Sequence, residues 1–458
     1  MGTAAAVARS LEARRRYASD WPPVCGGRIP MTSSSNTAAQ IARIFGAAAL
    51  AAVAAAVGFS QTGYEVGAEN PFMWWVLLGI VFIHMRLRFS WADVAVVASM
   101  AAAFSYVAFA VRGLDAQFSA ACCYIGLASW TVLGIRAIWA DAAERQHTGY
   151  LPAFVACSFF VGFLYVAAPV LFYAEQLQPK TLDLYLLSFD GSLGFQPSFF
   201  IGQYYAAFPW LRRLGLIAYE GLPLALALAY VENLRAHRKR SVAVGLGIFY
   251  LGVLGVLAYN LFPATGPIHL FGELFPQHPL GMAEARALPM AAIPVRGSRN
   301  AIPSLHMAWI LWCWWWARDL TAWAKAVLGG FVVFTVVATL GTGEHYLIDL
   351  VVAVPFTLMV LGLFCLTLPW DNKHRLAAVA AGLAGTLGWL VLLRYGRPVF
   401  WLSPIVPWGL AMATVGGASW MEWRLMRVLR NAEAGGACKE RTAEQERPAT
   451  SAAASPAG

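Results

Sequence analysis

The feature that most constrains this chain is a recurring apolar run about as long as a lipid bilayer is thick. A helix needs about 20 apolar residues to cross the hydrocarbon core. Hydrophobic residues make up 59% of the chain, charged residues make up 12%, and the mean hydropathy is +0.59. A length of 458 residues would otherwise suggest several soluble domains. The composition instead predicts an all-α fold, a polytopic integral membrane helical bundle.

The apolar runs predict about twelve spans. They lie at 41–60, 71–86, 92–111, 118–140, 150–174, 213–231, 241–262, 303–318, 322–341, 345–368, 376–394 and 398–418. Four tryptophans near the end of one run, Trp312, Trp314, Trp315 and Trp316, are interpreted as an interfacial aromatic belt.

The distribution of charge predicts which loops face the cytoplasm. The net charge is +9, and its basic residues are scattered between the spans. This pattern favours cytoplasmic loops and anionic lipid head groups over a nucleic-acid surface, so we expect no nucleic-acid partner. Counting alternately from a cytoplasmic N-terminus places the basic loops inside. The 263–302 loop and the turn at 341–345 then both face outside.

Two short stretches carry most of the polar chemistry. The first begins at Arg296, contains Arg299 and Ser304, and ends at His306; the second is Gly343-Glu-His345-Tyr-Leu-Ile-Asp349. His345 and Asp349 are four residues apart, so on a helix they share one face. Two apolar segments separate the histidines, and a helical hairpin returns the chain to the side it left. We therefore expect both histidines on one membrane face.

These residue types suit chemistry on a phosphate group. Ser304 is expected to cap a helix whose free N–H groups bind phosphate oxygens. Arg296 and Arg299 add positive charge nearby. His345, oriented by Asp349, is expected to attack phosphorus, and His306 is expected to protonate the departing oxygen.

Metal binding is the competing functional interpretation of two histidines and an aspartate. It is less favoured, because the neighbouring arginines would repel a cation. The seven cysteines show no metal-ligand spacing. We therefore predict neither a metal nor a cofactor.

The two stretches resemble known motifs. Pro303-Ser-Leu-His306 and Gly343-Glu-His-Tyr-Leu-Ile-Asp349 are similar to the second and third signature motifs of the type 2 phosphatidic acid phosphatase superfamily. The similarity is greatest to its branch containing inositol phosphorylceramide synthases. It extends over roughly 213–368. The resemblance implies a six-helix-type lipid phosphatase core and a metal-independent reaction through a phosphohistidine at His345, with Asp349 orienting that residue and His306 as general acid.

The chain departs from the superfamily pattern at its first motif. No Lys followed by an Arg-Pro pair precedes the second motif, and the stretch from Tyr259 to Pro267 occupies its place. Ala338 and Thr339 stand where a Ser-Arg pair usually precedes the third motif. Phosphate binding is therefore expected to depend on Arg296, Arg299 and Ser304. The synthase-like branch departs in a similar way.

Together these observations predict an enzyme with defined regions. It would be a membrane lipid phosphatase or phosphotransferase that acts on a lipid phosphate or phosphodiester with water or an alcohol as acceptor, and the resemblance to the synthase-like branch implies an inositolphosphotransferase activity. We expect it in the plasma (inner) membrane with its active site outside the cytoplasm. The expected regions are a disordered cytoplasmic N-terminus at 1–39, N-terminal spans at 40–174, an extracytoplasmic interfacial loop at 175–212, the catalytic core at 213–368, C-terminal spans at 369–420 and a disordered cytoplasmic tail at 421–458.

A multi-spanning secondary transporter is the alternative, because about twelve spans is also a common transporter architecture. A transporter would show an internal repeat and paired interrupted helices near the midplane. Neither is visible when the two halves of the sequence are compared. The candidate site residues instead cluster in the second half.

Overall fold

The computed structural model describes residues 71–87, 90–112, 118–139, 150–162, 174–236 and 238–445. The predicted N-terminus at 1–39 and the predicted span at 41–60 lie outside the described residues. The described part is mostly helical. The helices in its first half are α1 Pro71–Arg86, α2 Trp91–Arg112, α3 Phe118–Trp139, α4 Tyr150–Gly162, α5 Asp183–Ser192, α6 Pro197–Ala207, α7 Pro209–Glu220, α8 Leu222–Ala236 and α9 Arg238–Leu261.

The second half continues with short helices and then with long ones. These are α10 Pro267–Phe271, a 3-10 turn Gly272–Leu274, α11 Met282–Ala287, α12 Leu305–Trp316, α13 Ala322–Gly341, α14 Leu347–Phe364, α15 Lys373–Tyr395, α16 Arg397–Phe400 and α17 Ile405–Gln445. Two short strands, β1 Lys180–Thr181 and β2 Ile293–Pro294, pair antiparallel. The pairing ties the segment before α5 to the loop that precedes the histidine motifs.

Within the described residues, fewer helices are long and apolar enough to cross a membrane than the sequence pattern predicts. There are 4 such helices, or 5 if α7 and α8, which meet at a bend of 51°, form one broken span. The prediction of an integral membrane helical protein is consistent with these helices. The number of about twelve spans stays a prediction.

Helix α12, predicted as part of a span at 303–318, is a short buried element. Its 12 residues extend only about 18 Å, which is less than the hydrocarbon core of a bilayer. The indoles of Trp309 and Trp312 donate to the carbonyls of Ile248 and Val244 on α9, at 3.0 and 3.1 Å. Trp312, Trp315 and Trp316 are 0%, 3% and 2% exposed. The interpretation of these three as an interfacial belt is therefore wrong, because they are packed inside the protein core.

The predicted interfacial loop at 175–212 is largely helical, and its first helix is buried. Helices α5 and α6 lie within it, and every residue of α5 is buried. Phe189 of α5 makes edge contacts with Trp389 of α15 and Phe400 of α16, at centroid distances of 5.5 and 4.9 Å. The segment packs against the C-terminal helices through these ring contacts.

Helix α17 continues into the segment predicted to be a disordered tail at 421–458. Its described residues reach Gln445, and 446–458 lie outside them. Ion pairs join Glu422 to Arg318 and Glu433 to Arg240. Arg240 also pairs with Asp319 at 2.6 Å. These contacts between distant parts of the chain hold the helix where composition alone favours disorder.

Helices α14 and α15 pack closely at a glycine, which gives a test of the fold. A Cβ at Gly382 would lie 2.4 Å from the Met359 nitrogen and 2.6 Å from the Pro355 oxygen, whereas one at Gly388 would meet no atom within 4 Å. We expect Gly382→Val to destabilise the protein by about 1–3 kcal/mol, because it forces the two backbones apart. Thermal unfolding in detergent measures this. Gly388→Val on the same helix is the control, and an equal loss in both variants would contradict the close packing.

Candidate active site

The site lies where the first turns of α12 and α14 meet. The Ser304 backbone N–H donates to the Asp349 carbonyl at 3.1 Å, which fixes one helix start against the other. Ser304 caps α12, and its Oγ accepts a hydrogen bond from the Met307 N–H at 3.4 Å. The same Oγ lies 3.2 Å from His345 Nε2. The expected cap is thus present, and it brings the second motif against the third.

His345 is held from both sides of its ring. Its Nδ1 lies 3.3 Å from Asp349 Oδ2, and that oxygen also accepts the Tyr346 N–H at 2.8 Å. The residues are 2% and 0% exposed. A proton on Nδ1 that is donated to Asp349 leaves a lone pair on Nε2, the nitrogen that faces Ser304. This arrangement is the one that a histidine nucleophile needs.

His306 lies beside His345. The two ring centroids are 6.5 Å apart, with an angle of 65° between the ring planes. The other face of His306 stacks on Tyr219 of α7 at 3.8 Å and 14°. Tyr219 lies next to the bend between α7 and α8, so the broken helix supplies the platform that orients His306.

The structure brings together four of the six predicted site residues: Ser304, His306, His345 and Asp349. Arg299 is buried and donates to the carbonyls of Gln178 and Gly297, and Arg296 is exposed. No contact described in the resolved ranges joins either arginine to the two histidines. Their role in phosphate binding stays a prediction.

Two buried carboxylates on α5 hold the histidine motif in place. Asp183 Oδ1 accepts hydrogen bonds from the Gly266 N–H at 2.9 Å and the Tyr346 hydroxyl at 3.1 Å. Asp190 Oδ2 accepts the Leu347 N–H at 2.9 Å, at the first turn of α14. Both acids are at most 1% exposed. Neither acid is among the site residues that the sequence predicts. The available signal was a pair of acidic residues seven apart in an otherwise apolar stretch, which marks buried carboxylates that need partners.

The stretch from Tyr259 to Pro267 has a structural role. Gly266 has φ +117°, and a Cβ there would lie 2.3 Å from the Glu344 carbonyl oxygen. The Ile268 N–H donates to the Gly343 carbonyl at 2.9 Å. Only glycine permits this approach, and through it the turn supports the loop before His345.

Two further side chains, those of Ser198 and His269, contact this loop. The Ser198 hydroxyl on α6 donates to the His345 carbonyl at 2.7 Å. His269 Nε2 lies 3.6 Å from Glu344 Oε2, and hydrogen bonding to this carboxylate raises the pKa of His269. The loop before α14 is therefore bonded to α5, α6 and the 263–269 turn, three elements that precede it by many residues.

Residues 184–363, which contain this site, match the family model of the PAP2 superfamily. The matched region runs from α5 to the end of α14 and contains Ser304, His306, His345 and Asp349. No curated protein and no solved structure matches the chain. The match supports a phosphatase-type or phosphotransferase-type enzyme that acts on lipid phosphates, and it does not favour the transporter alternative.

Metal coordination was the competing interpretation of the histidines. Within the described ranges, no group of three or more His, Cys, Asp or Glu side chains is arranged to hold a metal ion. The His345 ring nitrogens face Asp349 and Ser304 instead.

Asp190 gives a test of how the site is stabilised. Burial, with the Asp349 carboxylate nearby, raises the pKa of Asp190 to about 8. The unfolded chain would release this proton near pH ~4, so between the two values the folded state binds more protons and stability falls as pH rises. Asp190→Asn cannot titrate, and its amide oxygen can still accept the Leu347 N–H.

We expect the melting temperature of the native protein, relative to that of Asp190→Asn, to fall between about pH 5 and pH 9. Thermal unfolding of both proteins over this range measures the difference. A difference that stayed constant, or that rose with pH, would show that Asp190 is ionised in the folded protein.

Proposed function

We propose that this protein is a membrane lipid phosphatase or phosphotransferase that works through a phosphohistidine. His345 Nε2 attacks the phosphorus of a lipid phosphate or phosphodiester, the bond from phosphorus to the leaving oxygen breaks, and His306 gives that oxygen its proton. Water or an alcohol then attacks the phosphohistidine and loses its proton to His306, which releases His345. The observation that carries the proposal is the placement of His306 beside His345, with Asp349 behind the attacking histidine.

Asp349 and Ser304 prepare His345 for attack. Phosphorylation of Nε2 leaves a positively charged ring, and the buried Asp349 carboxylate stabilises that charge without moving. The Ser304 hydroxyl, 3.2 Å from Nε2, must turn away or contact the incoming phosphate instead. Its position at the start of α12 also directs the free N–H groups of that helix toward the bound group.

Phosphate binding by Arg296 and Arg299 is part of the proposal. Arg299 is bonded to two backbone carbonyls through Nε and Nη1, so it can offer phosphate only its remaining donors without rearrangement. Arg296 is exposed and free to turn. We propose Arg296 as the mobile phosphate ligand and Arg299 as the fixed charge beside it.

A transferase of the inositol phosphorylceramide synthase-like kind is the finer proposal, with the active site facing outside the cytoplasm at the plasma membrane. Its support is the absence of the phosphatase-type first motif and the burial of His345, which is 2% exposed. A buried phosphohistidine favours an organic alcohol over bulk water as acceptor. Purified enzyme given a phospholipid with and without an alcohol acceptor separates transfer from hydrolysis.

The catalytic proposal predicts a specific pattern of loss. We expect His345→Ala to lower turnover of a phosphorylated lipid by more than about a thousandfold, because no nucleophile remains. His306→Ala should lower it by about 10²–10⁴, the usual contribution of a general acid. Release of phosphate or formation of the transfer product, screened over phosphatidate, polyprenyl diphosphate and phosphatidylinositol with ceramide, is the measurement.

The matched control is His278→Ala, which removes an exposed histidine in the loop after α10. Its turnover should equal that of the native protein. Unchanged turnover in both His345→Ala and His306→Ala would refute the proposal. Uptake of an intact lipid phosphate into vesicles, with no chemical product, would instead support the transporter alternative.

A further inference from the structure

Helix α7 leaves an apolar strip on the outside of the protein. Trp210, Leu214 and Ile217 are 61%, 44% and 52% exposed. Because successive members lie one turn apart, the three side chains share one side of the helix. Gly215 and Ala218, on another side, are buried. The strip is therefore the outer surface of a helix whose inner side is already packed.

The inner side of α7 contacts α6 and the candidate active site. The Tyr205 hydroxyl of α6 occupies the space where a Cβ at Gly215 would lie. Tyr219, one turn after Gly215, stacks on His306 with the ring centroids 3.8 Å apart. A molecule that binds the outer side of α7 therefore lies one helix away from His306.

Two arginines on α7 carry charge that the described residues do not neutralise. Arg212 and Arg213 are both exposed. Within the ranges that the structure describes, no ion pair joins either of them to a carboxylate. The acidic residue of this helix, Glu220, follows them by about two turns. The helix thus combines an apolar strip with two cations that are available to an anion.

A phospholipid matches both of these surfaces. The guanidinium group of arginine binds phosphate oxygens bidentately, and an apolar strip contacts acyl chains. Helices with one basic side and one side of Trp and Leu lie in the interface plane of a membrane. A soluble anion would contact the arginines alone, and the hydrocarbon core would leave both charges without a partner. The head-group layer is the environment that suits the whole helix.

The bend between α7 and α8 fits this position. The two helices meet at 51°, and most of α8 is buried whereas most of α7 is not. Helix α8 therefore enters the protein while α7 stays on its surface. Tyr204 and Phe208, just before α7, are exposed and extend the surface around Trp210. Exposed Trp and Tyr side chains are enriched at the level of lipid head groups.

We propose that α7 lies in the head-group layer of the membrane and that Arg212 and Arg213 bind the phosphates of anionic phospholipids. Zwitterionic phospholipids bind more weakly, because their ammonium group cancels the phosphate charge that attracts the arginines. This binding is independent of the chemistry at His345. Since Tyr219 of the same helix contacts His306, the bound lipids border the site of the proposed reaction.

Photocross-linking tests the binding. Leu214 is replaced by p-benzoylphenylalanine in the full-length protein, which is placed in nanodiscs of phosphatidylcholine and phosphatidylglycerol in equal parts. After irradiation, mass spectrometry measures the ratio of phosphatidylglycerol adducts to phosphatidylcholine adducts. We expect the anionic lipid to predominate. Arg212→Gln and Arg213→Gln should each lower this ratio about fivefold, the value of one cation near an anionic membrane surface.

Arg424→Gln and Arg427→Gln are the matched controls. Both arginines are exposed on α17, where they lie over the rings of Trp420 and Trp423. Neither change should alter the adduct ratio at position 214. Equal melting temperatures for all the variants show that each is folded.

Two further variants keep the test specific to lipid charge. Arg212→Lys and Arg213→Lys retain the positive charge, so both should retain most of the preference for phosphatidylglycerol. His345→Ala should give the adduct ratio of the unmutated site, because lipid binding at α7 does not need the proposed nucleophile. Failure of the catalytic proposal would leave this ratio unchanged.

Three results would overturn the proposal, whatever the enzyme assay shows. The first is an adduct ratio equal to the composition of the nanodisc. The second is a preference for phosphatidylglycerol that persists in both glutamine variants of α7. The third is cross-linking mainly to a second copy of the chain, which would make the strip a protein interface.

Discussion

Two hydrogen bonds from Ser304 determine the geometry of the site. Its backbone N–H donates to the Asp349 carbonyl, and its hydroxyl lies within hydrogen-bond distance of His345 Nε2. Together they bring the start of α12 against the start of α14. His306, two residues after Ser304, consequently faces His345, and Asp349 lies behind it. If either helix start moved by one turn, about 5 Å, the two histidines would no longer lie side by side.

The side chains at this junction are polar and almost fully buried. The surrounding protein must therefore supply their hydrogen-bond partners. Asp183 and Asp190 supply acceptors from α5, and Ser198 supplies a donor from α6. Buried carboxylates are costly unless they are hydrogen-bonded or protonated. The raised pKa of Asp190 is one result of this cost. The segment before the histidine motifs is thus part of the site's framework, which agrees with its inclusion in the matched region from residue 184.

The turn around Gly266 supports the loop before His345 through backbone contacts with Gly343 and Glu344. The stretch from Tyr259 to Pro267 contains no basic residue. Arg296 and Arg299, on the loop that β2 ties to β1, are the nearest basic residues in sequence to the second motif. The proposed function therefore assigns phosphate binding to these two arginines and loop support to the turn.

The sequence alone determined the helical, membrane-compatible character of the fold and the pairing of His345 with Asp349, because apolar run length and four-residue spacing are local properties. It also predicted the Ser304 cap. It could not predict that α12 is too short to span a bilayer, that its tryptophans are buried, or that Asp183 and Asp190 bond to residues more than 80 positions away. Those features depend on which surfaces meet in three dimensions, and an apolar run looks the same whether lipid or protein surrounds it. Only the tertiary structure decided which apolar runs are surrounded by protein.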